Sequence, residues 1–296
     1  MIRIFDIMHI VMNKKSKLKH KILLSIIIFL IASVGAIVTI GYLNKPIETT
    51  PTNNEQPVVT TQPTPETPAE PIIPNTTGIP ILMYHFFYDS SQGQTGADSN
   101  FTDVVEFEKQ VKYLADNGYY TPTWSELADY IDGTKVLPEK SVILTFDDGA
   151  SSFFSLAYPV LVKYQIHATS FIVTSWTTNP DSLGVDRNLI SFQSHSNDMH
   201  QGGCEGGHGG LFQCIDRQLG IDDLNTSKQI TGSSDAFCYP FGDYNDSEKQ
   251  LLREVGFKVA VTTEYGKAQI GMDKLQLPRV RMNGGTSLEG FIESIN

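Results

Sequence analysis

Residues 79–296 predict an α/β domain whose largely parallel sheet closes into a (β/α) barrel. Two observations carry this. Short apolar runs rich in β-branched residues recur at Ile79–Tyr84, Ser141–Phe146, Thr169–Thr174, Leu189–Ser194, Ala236–Tyr239 and Phe257–Thr262, the pattern of strands buried on both faces. Helical spacing falls between several of them, and parallel neighbours require such long crossovers. Seven or so units suffice for closure, and the chemistry of such a barrel sits at the C-terminal strand ends.

Ahead of this domain the chain is uneven. Residues 1–21 hold Arg3, Lys14, Lys15, Lys17, Lys19 and Lys21 against Asp6 alone, a net +5. The chain totals −11, so residues 22–296 carry −16. That balance argues against nucleic acid as a partner, because phosphates attract Lys/Arg surfaces. Ile22–Tyr42 then runs 21 residues without a charge. At about 1.5 Å per residue it spans about 30 Å, the thickness of a bilayer core. The preceding lysines put the N-terminus in the cytoplasm. The run exceeds the about 7–15 apolar residues of a cleaved signal, and no A-x-A site closes it. A retained transmembrane signal anchor is expected, with cleavage and secretion as the alternative.

Residues 43–78 read as a Pro/Thr-rich linker. Eight of the fifteen prolines and nine threonines lie in 45–77, with no glycine and no aromatic residue. Such a stretch buries no core and is expected to be extended and disordered. Its 33 residues, at about 3.1 Å each, reach roughly 100 Å, enough to hold a domain away from a membrane.

Within the domain, Phe107, Val111 and Leu114 stand at i, i+4 and i+7 and predict one apolar helix face. Thr123 with Glu126 reads as a capping box opening a helix that carries Leu127 and Tyr130. Asn245 with Glu248 opens another, carrying Leu251, Leu252 and Val255.

Two motifs fall where strands end. The run Ser141–Phe146 stops abruptly at Asp147-Asp148-Gly149. Adjacent carboxylates repel, so they need a cation or a shared proton. A solvated Asp-Gly turn is the other reading. The second motif, Ser194-His195 followed by His200, also trails an apolar run. Two imidazoles and a carboxylate form a three-ligand set that leaves a position open for water, as catalytic zinc sites require. Histidines five apart do not share a helix face, so the pair suits a strand end and its loop; two unrelated surface histidines are the plainer alternative.

Thr145-Phe146-Asp147-Asp148-Gly149, Ser194-His195-x4-His200 and Phe237-Cys238-Tyr239-Pro240-Phe241-Gly242 resemble the three successive motifs of the polysaccharide deacetylases, carbohydrate esterase family 4. The resemblance covers about residues 79–282 and implies a distorted (β/α) barrel. It implies that Asp148, His195 and His200 hold a divalent metal, zinc first, with Co2+ or Ni2+ as substitutes. It also implies that Asp147 is the general base and that the Phe241 N–H faces the oxyanion. Three departures matter. The histidines are five apart rather than four, Cys238 stands where the family carries arginine, and no late Leu-x-His motif precedes Asn296. These resemble the branch that deacetylates poly-N-acetylglucosamine, where the acid histidine comes from the first strand. The matching residue is His85, in Pro80-Ile-Leu-Met-Tyr-His85. Arg279 is then the candidate to replace the missing arginine beside Asp147.

The implied activity is hydrolysis of N-acetyl groups on an N-acetylglucosamine polymer outside the cell, either poly-N-acetylglucosamine or peptidoglycan, by a membrane-anchored enzyme. A bound Zn2+ would bring the pKa of its water to about 7 and polarise the carbonyl. A glycan O-acetyl esterase and a catalytically inactive wall-binding module are the competing readings. The run Gly202–Gly210, containing Cys204 and His208, matches no motif of the family. Cys204 and Cys214 could pair as a disulfide and leave Cys238 alone. A second metal site from Cys204, His208 and Cys214 is the alternative.

Overall fold

The computed structural model describes residues 73–296. The barrel is built from β1 (Ile79–Tyr84), β4 (Ile143–Phe146), β5 (Ala168–Ile172), β6 (Ile190–Ser194), β7 (Ala236–Cys238), β8 (Val259–Tyr265) and β10 (Leu277–Arg281). They pair in that order, all parallel, and β10 pairs back onto β1 through Leu82–Val280, which closes a seven-stranded barrel. The short β9 (Lys267–Ala268) lies antiparallel on the start of β1, and β2 (Phe86–Tyr88) pairs separately with β3 (Phe101–Asp103).

Alternation along the strands decides what lies inside. Ile79, Ile81, Ile143, Phe171, Cys238 and Val261 share one buried cluster inside the barrel. Their neighbours Leu82, Leu144, Phe146, Phe192 and Val280 belong to a second cluster outside it. The side-chain period of two produces this split. The outer cluster packs under α1 (Val104–Asp116), α3 (Tyr158–Tyr164) and α6 (Leu288–Ile295). A third, around Phe237 and Ala260, packs under α4 (Arg217–Thr231) and α5 (Asp246–Val255).

The helix α2 (Trp124–Ile131) sends Trp124, Leu127 and Ile131 into the barrel's own cluster and plugs its N-terminal end. Trp124 Nε1 donates to Thr169 Oγ1 at 2.9 Å, which satisfies the buried indole. The capping boxes expected at Thr123/Glu126 and Asn245/Glu248 are both formed.

Some expectations need adjusting. The crossovers from β5 to β6 and from β8 to β10 contain no α-helix, only a 3-10 turn (Pro180–Leu183) and β9. Residues 73–78, counted with the linker, already contact the domain: buried Asn75 bonds to Leu137 O, and Tyr130 donates to its Oδ1. The basic segment, the anchor over Ile22–Tyr42 and most of the linker lie outside the described residues. Among the described residues no helix is long and apolar enough to cross a membrane.

Candidate active site

The C-terminal strand ends carry the chemistry. The Asp147 N–H donates to Tyr84 O at 3.0 Å and so extends the β1–β4 ladder by one residue. Asp148 then turns into the left-handed region (φ 71), followed by Gly149 (φ 64), where a Cβ would press on Ile172. This reversal separates the two carboxylates: Asp147 faces the barrel interior and Asp148 faces the histidines. Left-handed backbone at a non-glycine residue costs about 1–3 kcal/mol and concentrates at functional sites. Of four such residues described, three (Asp148, Ser196 and Phe241) lie in the strand-end loops.

His195 follows β6, and its N–H donates to Ile172 O at 2.9 Å. Its Nδ1 lies 2.8 Å from Cys238 O, an acceptor, so the ring proton sits on Nδ1 and Nε2 presents its lone pair. That nitrogen is 3.5 Å from Asp148 Oδ1. Ser196 turns the chain, and its hydroxyl accepts from the N–H of buried Met199, which draws the loop back toward the barrel. His200 Nε2 thereby comes to 3.2 Å from the same Asp148 oxygen. The five-residue spacing thus holds one extra loop residue while both rings reach one point.

The ligand atoms of Asp148, His195 and His200 all lie within 4.8 Å of one another. A lone-pair imidazole oriented by a carbonyl, a second imidazole and an ionised carboxylate fit a divalent ion of the zinc type. Burial alone would raise the Asp148 pKa, but the two histidines, which donate to it when their rings are protonated, outweigh it and hold the carboxyl far below its ordinary range. Asp147, His195 and Cys238 also lie close together. They make a poorer metal set, because the His195 nitrogen beside Cys238, Nδ1, is taken by the Cys238 carbonyl. Asp147 is also already occupied.

Its occupant is Arg279. Nη1 donates to Asp147 Oδ1 at 2.8 Å and Nη2 to Oδ2 at 2.7 Å. The guanidinium is fully buried and also donates to Thr262 O, Thr145 Oγ1 and Cys238 Sγ. Burial would raise the Asp147 pKa; Arg279 reverses this and keeps the carboxylate ionised. The cation that the acidic pair calls for is therefore, for Asp147, an arginine. His85 follows β1, with Nε2 3.9 Å from Asp147 Oδ2. Burial lowers its pKa, against the pull of Asp147 and Asp148.

Phe241 (φ 61, ψ 0) lies in the turn after β7, and its ring stacks on His200 with centroids 4.6 Å apart. All seven candidate residues are thus brought to one end of the barrel. His85, Asp147, Asp148, His195, His200 and Phe241 line a cleft of about 390 Å³, with Arg279 in its floor.

Sequence reasoning missed other lining residues: Asn100, Arg281 and Thr263, and Trp176, whose ring lies 5.4 Å from that of His200; His208, singled out in the sequence with its glycine-rich loop, lines the same cleft. Arg281 was within reach, because it stands two residues after Arg279 and so on the same strand face. Cys204 and Cys214 form a disulfide and Cys238 is free and buried. The second metal site drawn from Cys204, His208 and Cys214 is therefore corrected, since a disulfide offers no thiolate. A separate cavity of about 230 Å³ lies at the opposite, N-terminal end of the barrel beside Trp124 and holds none of these groups.

A parallel barrel with an Asp-His-His cluster and an arginine-held carboxylate at its C-terminal mouth has the parts that water-activating hydrolases use. The sequence profile described as polysaccharide deacetylase matches residues 134–260. YxkH of Bacillus subtilis (strain 168), which carries the family's name, is 30% identical over 224 residues, 72% of this chain and 74% of that protein. The chain belongs to the polysaccharide deacetylase family.

A poly-beta-1,6-N-acetyl-D-glucosamine N-deacetylase of Staphylococcus aureus (strain MRSA252) is 27% identical over 192 residues, 59% of this chain and 65% of that enzyme. The Streptococcus pyogenes deacetylase PplD, solved in complex with acetate, superposes with a TM-score of 0.61 at 25% identity, covering 75% of this chain and 100% of that one. IcaB from Ammonifex degensii shares the fold at a TM-score of 0.61 and 22% identity, over 75% of this chain and 98% of that one.

Proposed function

We propose that this protein hydrolyses N-acetyl groups from N-acetylglucosamine units of an extracellular polysaccharide, poly-N-acetylglucosamine or peptidoglycan, and releases acetate. The observation that carries the reading is the pairing of an ionised Asp147, held by Arg279, with the Asp148, His195 and His200 cluster beside it. Those three residues would hold a divalent ion, zinc by donor chemistry. Bound there, it supplies Lewis-acid polarisation of the acetyl carbonyl and acidifies water.

The chain's own groups do the rest. Asp147 accepts a proton from the attacking water, and Arg279 keeps the carboxylate in the orientation and charge state this needs. The Phe241 N–H, fixed by its left-handed turn, donates to the developing oxyanion. His85 delivers a proton to the departing amine, without which the C–N bond does not break cleanly. Water and amide thus become acetate and free amine.

The domain is read as acting outside the cell on an anchored tether. The Cys204–Cys214 disulfide supports that placement, because disulfides persist in oxidising compartments. The test is acetate release from poly-N-acetylglucosamine, peptidoglycan and O-acetylated xylan in parallel, with and without a chelator. Chelator-sensitive release from the N-acetylated polymers is expected. Release from xylan alone would replace this reading with an O-acetyl esterase, and no release from any, even with added Zn2+ or Co2+, with an inactive binding module.

A further inference from the structure

The glycine-rich loop is built as a rigid wall. Gly202 and Gly210 bridge, Gly203 donates to Gly209 O at 2.8 Å, and the disulfide closes the segment. Its anchor is Asp243, a carboxylate only 5% exposed in the turn after Phe241. Asp243 accepts from the N–H of His208 (2.9 Å), the N–H of Gly210 (2.9 Å) and Nδ1 of His208 (3.0 Å). The glycines follow from this seating. At Gly207 (φ 54) a Cβ would collide with the Asp243 carboxylate, and at Gly210 one would crowd the Phe241 ring at 3.0 Å.

The wall presents one functional side chain to the cleft. His208 is 68% exposed, yet its ring does not swing freely, because Nδ1 is tied to Asp243. The imidazole lines the same cleft as His85, Asp147 and Asp148. A carboxylate on Nδ1 fixes a proton there and leaves Nε2 as the nitrogen free to meet a ligand, an acceptor whenever the ring carries a single proton. The groups a glycan offers in abundance are hydroxyl donors.

We propose that His208 is a substrate-binding residue whose Nε2 accepts a hydrogen bond from a sugar hydroxyl of the glycan unit next to the one being deacetylated. The Asp243 anchor and the disulfide hold it in place. This rests on the deacetylase reading above.

The experiment compares wild type, His208→Ala, His208→Gln and the Cys204→Ser/Cys214→Ser double variant. Each is assayed on N-acetylglucosamine oligomers of one to five units, with 4-nitrophenyl acetate as a reference substrate that has no neighbouring sugar. Loss of one ordinary hydrogen bond predicts that His208→Ala raises KM for the longer oligomers about threefold to tenfold relative to the reference. His208→Gln, whose amide oxygen can accept in place of Nε2, should recover most of it, and the double variant should shift in the same direction as His208→Ala.

An unchanged KM ratio in His208→Ala, with an active wild type, overturns this inference alone. So does a loss confined to kcat, or one equal on both substrates, which would make the residue a proton donor or a structural one. A wild type that releases no acetate from any oligomer overturns the deacetylase reading, and this inference with it.

Discussion

Arg279 and Asp147 meet through two parallel hydrogen bonds of 2.8 and 2.7 Å, with the guanidinium fully buried and the carboxylate 3% exposed. A fork of this geometry fixes both the position and the charge of the carboxylate. It also makes each partner dependent on the other, since a buried charge without its mate is costly.

Asp147→Asn keeps the volume and removes the proton acceptor. Its kcat should fall about 10²–10⁴-fold, the range for losing a general base, with metal content intact. Arg279→Ala strands a buried carboxylate and should cost about 3–5 kcal/mol of stability as well as activity. Arg279→Lys keeps the charge but not the fork and should fall between them. Acetate-release kinetics, metal analysis and thermal unfolding read the three apart, and a fully active Asp147→Asn enzyme would refute the assignment.

His195→Ala should lose metal and turnover together. Its ring is the one oriented by a protein acceptor, Cys238 O, so it arrives with its lone pair already aimed. Dialysis of wild type against a strong chelator should likewise abolish turnover, and Zn2+ or Co2+ should restore it. Elemental analysis that found no bound ion in an active wild type would end the metal reading.

Much of this site could be read in the sequence because its parts follow apolar strands and announce themselves as abrupt polarity. Asp147-Asp148 and His195 are of that kind. The strand Leu277–Arg281 was not found, because Pro278, Arg279 and Arg281 interrupt its apolar run. Its arginines face a polar mouth rather than a core. The helix Arg217–Thr231 escaped for a different reason. Its buried face is Gly220, Leu224, Ser227 and Thr231, correctly spaced for a helix but small or polar at three of four positions. It packs closely instead of burying an apolar stripe. Arg279 came to notice through family resemblance, since a lone arginine in a strand gives no hint of its partner 132 residues away.

Glu126 closes the capping box of the plugging helix. Its carboxylate accepts from the Thr123 N–H, Lys135 and Tyr120. Partial burial would raise its pKa, but these donors prevail and bring it from 4.5 to about 2. A carboxyl depressed on folding stabilises the fold above its unfolded pKa and loses that stabilisation as pH falls through the folded one. The gap between wild type and Glu126→Gln should therefore be full at pH 7 and close between about pH 4.5 and 2. Lys135 is 41% exposed, so water screens the pair and the gap should be near 1 kcal/mol. Urea titrations at several pH values measure it, and a gap independent of pH contradicts the account.

The turn that carries Phe241 makes a separate prediction, because its backbone and its ring can be tested independently. Gly242 has φ 78, and a Cβ there would collide with the Thr263 hydroxyl. Gly242→Ala must therefore shift the turn and with it the Phe241 N–H. Losing one oxyanion donor costs about 10²–10³ in kcat, so a displaced one should cost on the order of 10². Phe241→Ala leaves that N–H in place and removes only the ring stacked on His200. Its kcat should fall less, and the ratio of the two effects is the readout. If Phe241→Ala proves the more damaging of the two while circular dichroism shows both folded, the ring, not the amide, is what the reaction uses at this turn.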